Sequence, residues 1–144
     1  MTLFTSDLQA QIWLESYRNT SHMNGWMGIW GKDASNVWTV GSSGAILKWS
    51  GSSWIEDRSF STSPALYLND VWGTYASNNI WAVGRSGKIL KRNGGSWDEE
   101  SLPSAAATVN LNGIWGTADA SNVWAVGDGG KIFKRTSGTW NEEP

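Results

Sequence analysis

Leu111-Asn-Gly-Ile-Trp-Gly-Thr117, followed by Val123-Trp-Ala-Val-Gly127, Lys131-Ile-Phe-Lys-Arg135 and Trp140, decides the fold, because the chain spells it three times. Residues 68–97 repeat it with Leu-Asn-Asp-Val-Trp-Gly, Ile-Trp-Ala-Val-Gly and Lys-Ile-Leu-Lys-Arg, and residues 26–54 repeat it more loosely. A fixed period of this length marks a repeat architecture and is read before any local pattern. Trp38, Trp81 and Trp124 stand 43 apart, as do Trp54, Trp97 and Trp140, while Trp30, Trp72 and Trp115 follow at 42 and 43. Nine of the 12 Trp therefore occupy three places in the frame. Trp13 fills one of those places in a partial N-terminal unit, and Trp26 and Trp49 fall outside them.

Each unit reads as four short strands. Strand a covers 111–117 and strand b 122–127, joined by the polar link Ala118-Asp-Ala-Ser121. Gly127-Asp-Gly-Gly130 has the glycines that a tight hairpin with positive φ requires. Strand c covers 131–135, and Thr136-Ser-Gly-Thr139 turns the chain into strand d at Trp140. β-Branched and aromatic residues fill the strands, and no stretch has a 3.6-residue apolar period. Strand b settles the architecture: Val37-Trp-Thr-Val40 and Val123-Trp-Ala-Val126 do not alternate apolar with polar, so both faces of that strand need cover. A four-stranded antiparallel sheet covered on both faces and repeated every 43 residues is a propeller blade between two neighbours. The expectation is an all-β chain of three blades, about 24–66, 67–109 and 110–144, behind a segment 1–23 that holds an extra outer-type strand near Trp13.

The pattern Leu-Asn-Gly-Ile-Trp-Gly…Asn-Val-Trp-Ala-Val-Gly-Asp-Gly-Gly-Lys-Ile…Gly-Thr-Trp resembles the Trp-rich bacterial propeller repeats related to the BNR, or Asp-box, repeats. Those repeats occur in sialidases, in the photosystem II assembly-factor propeller and in large bacterial surface proteins. The resemblance covers nearly everything from residue 24 onward and implies a propeller. The Asp-box itself survives in fragments: Asn93-Gly-Gly-Ser-Trp97 has Asn in the Asp place, and Ser50-Gly-Ser-Ser-Trp54 and Thr136-Ser-Gly-Thr-Trp140 have no acid there. Arg18, Arg58 and Arg85 lie at unlike places of the repeat, so the arginine triad that a sialidase reading needs is missing.

Composition narrows the function classes. A net charge of −2 offers no attraction to phosphate backbones or anionic membranes, which removes nucleic acid as a partner. With no Cys there is no thiolate chemistry and no zinc-thiolate site. No run approaches the roughly 20 apolar residues of a membrane-spanning helix, and Met1–Asp7 has no basic start, so the chain reads as soluble with its compartment open. His22, the one His, lies in a linker and reads as solvated. No cofactor, metal site or catalytic residue is expected.

Charge is sorted by strand. Lys48, Lys88, Lys91, Arg92, Lys131, Lys134 and Arg135 lie on strand c, and acids follow each strand d Trp. A four-residue c–d loop sets Arg92 opposite Trp97, Arg135 opposite Trp140, Trp49 opposite Trp54 and Lys91 opposite Asp98. These charges read chiefly as solubilising outer strands and guarding a sheet edge. Trp26 and Trp49 replace Leu68/Leu111 and Arg92/Arg135, which makes them candidates for stacking on a sugar, with Arg92 and Arg135 as its polar grips. Arg85 and Asp128, with Ser42 as third equivalent, stand at the variable tip of the b–c turn and are candidates for a binding face. The ligand-binding candidates are thus Trp26, Trp49, Arg85, Arg92, Asp128 and Arg135.

Three blades cannot close a ring, since closed propellers take four to eight. Self-association is the expected remedy, with a dimer of six blades favoured. The leading functional expectation is a non-enzymatic binding module, lectin-like or protein-binding. Its rivals are a glycan hydrolase and a structural propeller fragment with no ligand of its own.

Overall fold

A computed structural model describes residues 25–58, 66–75 and 79–144. Trp13, Glu15, Arg18 and His22 lie outside the described residues, as does the side chain of Arg58. Among the described residues twelve strands form three four-stranded antiparallel sheets, each in the order in which the chain lays its strands down. The first sheet comprises β1 (Trp26–Asp33), β2 (Asn36–Gly41), β3 (Ile46–Trp49) and β4 (Trp54–Arg58). The second comprises β5 (Leu68–Gly73), β6 (Ile80–Gly84), β7 (Ile89–Asn93) and β8 (Ser96–Glu100). The third comprises β9 (Leu111–Gly116), β10 (Asn122–Gly127), β11 (Lys131–Thr136) and β12 (Thr139–Glu142). Helical structure among the described residues is confined to 3-10 turns at Ser104–Ala106 and Asp128–Gly130. The all-β blade architecture expected from the repeat is what the chain adopts.

The joints explain the strand ends. In each b–c turn two consecutive residues hold positive φ: Ser43 and Gly44, Ser86 and Gly87, Gly129 and Gly130. That geometry reverses the chain with the twist the flanking strands need. The a–b links are pinned by side-chain carboxylates: Asp33 accepts from the Ser35 and Asn36 groups, and Asp119 from the Thr117 hydroxyl and the Ser121 N–H. Register follows, with Trp30, Trp72 and Trp115 opposite Trp38, Trp81 and Trp124. Each such pair stacks at 5.8–5.9 Å between ring centroids. The expected c–d partners are also observed: Arg92 with Trp97, Lys91 with Asp98, Arg135 with Trp140 and Trp49 with Trp54.

The core lies between sheets, and β6 shows how. Ile80 to Gly84 are all buried. Alternation along the strand sends Ile80 and Ala82 into one core and Trp81 and Val83 into the other. The first core sets Trp38, Val40 and Ile46 of the first blade against Leu68, Val71, Ile80, Ala82 and Leu90 of the second. The second repeats it one blade on, with Trp81, Val83 and Ile89 against Leu111, Ile114, Val123, Ala125 and Phe133. We call the first of these surfaces the leading face of a blade and the second its trailing face.

The Trp-Gly pair of strand a is a second link between blades. A Cβ on Gly73 would lie 2.8 Å from the Trp30 ring, and one on Gly116 would lie 2.6 Å from that of Trp72. Trp30 and Trp72 thus each rest where the next blade has no side chain. Gly31 is the same place in the first blade, and there the nearest atom to an added Cβ is Val37 Cγ2 at 3.2 Å.

Candidate functional site

Two kinds of polar site are built on this frame: a clamp between blades and a cleft at the turn end. The clamp uses residues three places after the strand d Trp. Because the side chains alternate, Trp97 faces back toward the first blade while Glu100 faces on toward the third. Asp57 of the first blade accepts from Arg92 of the second, Nε to Oδ2 at 2.8 Å and Nη2 to Oδ1 at 3.1 Å. The same Oδ2 accepts the indole N–H groups of Trp38 at 3.0 Å and Trp97 at 2.9 Å. One repeat later Glu100 takes Arg135 at 2.8 and 2.7 Å, Trp81 at 3.2 Å and Trp140 at 2.9 Å. Each guanidinium also lies over the preceding blade's strand b indole, 5.7 Å above Trp38 and 5.3 Å above Trp81.

Burial works to raise the Asp57 carboxyl, but the Arg92 guanidinium and the Trp97 and Trp38 N–H groups outweigh it and hold it below the ordinary carboxylate range. The Glu100 carboxyl is lowered in the same way, burial opposing and Arg135, Trp140 and Trp81 prevailing. These acids and arginines were expected on solvated outer strands. The structure corrects that for Asp57, Glu100, Arg92 and Arg135, whose side chains are mostly buried at the seam. The rest of strand c does follow the expectation: Lys88 pairs with Glu99 and Lys131 with Glu142 on the exposed surface.

Trp49 stands at the frame position of Arg92 and Arg135, half-buried and tilted against Trp54 at 5.6 Å. Trp26 stands at the position of Leu68 and Leu111, on the trailing face of the first blade. Neither lines the cleft that holds Arg85 and Asp128.

Arg85 and Asp128 do share one. A cleft of about 520 Å³ is lined by Met27, Asn69, Arg85, Asn110, Asn112 and Asp128. Met27, Asn69 and Asn112 are the same frame position in three blades, so the cleft lies across the strand a ends of the whole array. Asp128 accepts from Asn112 Nδ2 at 2.8 Å and Asn110 Nδ2 at 2.9 Å. Those two amides, Asn112 first, lower its carboxyl below the usual range. Arg85 is held differently: its guanidinium lies 4.1 Å from the Tyr67 ring centroid while its backbone N–H donates to the Tyr67 carbonyl. Among the described residues no acceptor takes a hydrogen bond from that guanidinium. The cleft therefore offers a planar cation with donors that no described residue takes, a carboxylate fixed by two amides, and an apolar Met27 wall.

Sequence reasoning placed Arg85 and Asp128 through the variable turn tip but missed Met27, Asn69, Asn110 and Asn112. The signal available for Asn69 and Asn112 was an Asn recurring directly after the first Leu of strand a. Among the described residues no cluster of His, Asp and Glu could hold a metal ion, and no helix is long and apolar enough to cross a membrane.

No protein-family model and no curated protein sequence matches the chain. Solved structures do. YCF48 bound to a D1 peptide is 18% identical with a TM-score of 0.68, over 85% of this chain and 41% of that one. YCF48 from Cyanidioschyzon merolae is 18% identical with a TM-score of 0.64, over 89% of this chain and 43% of that one. Virginiamycin B lyase from Staphylococcus aureus is 19% identical with a TM-score of 0.67, over 85% of this chain and 42% of that one. The chain spans about two-fifths of the length of these structures. They are β-propellers, and the likeness establishes that fold for this chain without reaching the Asp-box repeats in particular.

Proposed function

We propose that the protein is a non-enzymatic interaction module, a set of propeller blades whose turn-end cleft holds a segment of a protein partner. The observation that carries this reading is that Arg85 and Asp128 line one cleft. A guanidinium suits peptide carbonyls or a carboxylate, and a carboxylate beside amides suits peptide N–H groups. Spread over three strand a ends, the cleft suits an extended segment rather than a compact ion. The peptide-bound YCF48 structure is a propeller of similar blade geometry that takes a peptide, which supports the same class of ligand here.

Panning a displayed random-peptide library against the whole chain tests this. Enriched peptides should lose binding to Arg85→Ala and to Asp128→Asn while both variants keep the wild-type unfolding curve. Binding to a glycan array that Trp49→Ala abolishes would replace this reading with the lectin-like one. Turnover of fluorogenic glycosides, lost on changing one carboxylate, would overturn the non-enzymatic assignment.

A further inference from the structure

The leading face of the third blade carries half of a clamp. Trp124 and Glu143 stand there at the frame positions of Trp81 and Glu100, and the backbone N–H of Glu143 still bonds to the Ile132 carbonyl at 2.8 Å, so the residue continues β12 in register. Among the described residues no donor reaches the Glu143 carboxylate and no acceptor takes the Trp124 N–H. The apolar part of the face is open too. Val126 and Ile132 are 45% and 43% exposed, where Val83 and Ile89 one blade earlier are 0%. Trp115, counterpart of the two indoles that rest on Gly73 and Gly116, is 60% exposed.

We propose that this face docks a further blade of the same repeat that carries Arg on its third strand and Trp on its fourth, and that it rejects the first blade of a second copy. The two seams inside the chain define the partner. In both, the leading-face acid receives two indole N–H groups and a bidentate guanidinium. The first blade supplies Trp54 and the Gly31 seat, but it has Trp49 where the guanidinium must come from. A second copy seated there would bury Glu143 between indoles with no guanidinium at the clamp position among the described residues, an arrangement that costs far more than a paired carboxylate. The dimer of six blades expected from counting units thus meets an electrostatic obstacle at this one position. The inference concerns the sheet face alone and stands apart from the peptide ligand of the turn-end cleft.

Trp49→Arg tests it with the whole chain. Immobilised wild-type protein should capture Trp49→Arg about tenfold or more tightly than it captures wild-type, a gain expected of a charge-assisted bidentate pair. The gain should vanish when the immobilised chain carries Glu143→Gln. Circular dichroism establishes that each variant is folded, and a folded Trp49→Arg captured no better than wild-type overturns the proposal. Sedimentation of the wild-type chain decides independently of that variant. A monomer that Trp115→Glu leaves unchanged is the expected result, and a wild-type ring that Trp115→Glu breaks overturns it.

Discussion

Arg92 leaves its own sheet to grip Asp57 of the preceding blade, 35 residues earlier in the chain, and the Arg135–Glu100 pair repeats that grip at the same separation. The side chains of Arg92 and Asp57 are 13% and 9% exposed, so the pair is a buried one. Breaking a buried pair from one side leaves an uncompensated charge and costs about 3 kcal/mol or more. Asp57→Ala and Arg92→Ala should each lower the stability by about that amount in urea unfolding, with the double variant losing clearly less than the sum. Additive losses would mean that the two residues act separately.

Acid should weaken the seams. Asp57 and Glu100 are both held below their ordinary values of 3.8 and 4.5, with burial opposing and the Arg and Trp donors prevailing. A carboxyl whose folded value is lowered contributes stability that is fully present above its unfolded value and is lost as pH falls through its folded one. Stability should therefore hold level from neutral pH to about 5 and decline below about 4.5. Asp57→Asn with Glu100→Gln should be less stable at neutral pH and decline less steeply in acid. The decline that remains in that variant includes Asp119, lowered to about 2 by the Thr117 hydroxyl and the Ser121 groups. A double variant as steep as wild-type would remove the seams from the account of acid sensitivity.

The frame was legible in the sequence because each of its parts is local. Strand b betrays its two covered faces through Ile80-Trp-Ala-Val83, and Ser-Gly or Gly-Gly at the b–c turn betrays its positive φ. The c–d register follows from loop length, which alone sets Arg92 opposite Trp97. The clamp was not legible in that way. Asp57 and Arg92 are far apart in the chain and belong to different sheets, and each on its own reads as an ordinary surface charge. Only the constant offset of 35 residues between acid and arginine in two successive repeats carried the information. The cleft was half legible: turn-tip variation exposes Arg85 and Asp128, whereas Asn69 and Asn112 sit inside strands that otherwise read as packing elements.

Glycine in the Trp-Gly pair should be required only where an indole rests on it. At Gly116 an added Cβ would meet the Trp72 ring at 2.6 Å and the Asn122 carbonyl oxygen at 2.8 Å. Neither a stacked indole nor strand backbone can withdraw cheaply, and forced overpacking of this kind costs about 1–3 kcal/mol. Gly116→Ala and Gly73→Ala should fall in that range by urea unfolding. Gly31→Ala meets only the Val37 methyl at 3.2 Å and should cost less than about 1 kcal/mol. Equal losses at all three positions would show that backbone freedom, and not the seating of an indole, is what the glycine provides.

The same frame position should be worth very different amounts in the second and third blades. Trp72 stacks on Trp81 against the second core and presses on Gly116, so Trp72→Ala empties a packed volume and should cost about 3 kcal/mol. Trp115 makes the same stack, with Trp124 at 5.8 Å, but its outer face is open. Removing it forfeits one aromatic pair, about 0.5–1.5 kcal/mol, and little burial. Urea unfolding of the two variants at a concentration where the wild-type chain is monomeric measures the contrast. A Trp115→Ala loss as large as that of Trp72→Ala would mean that the third blade's leading face is already covered in solution.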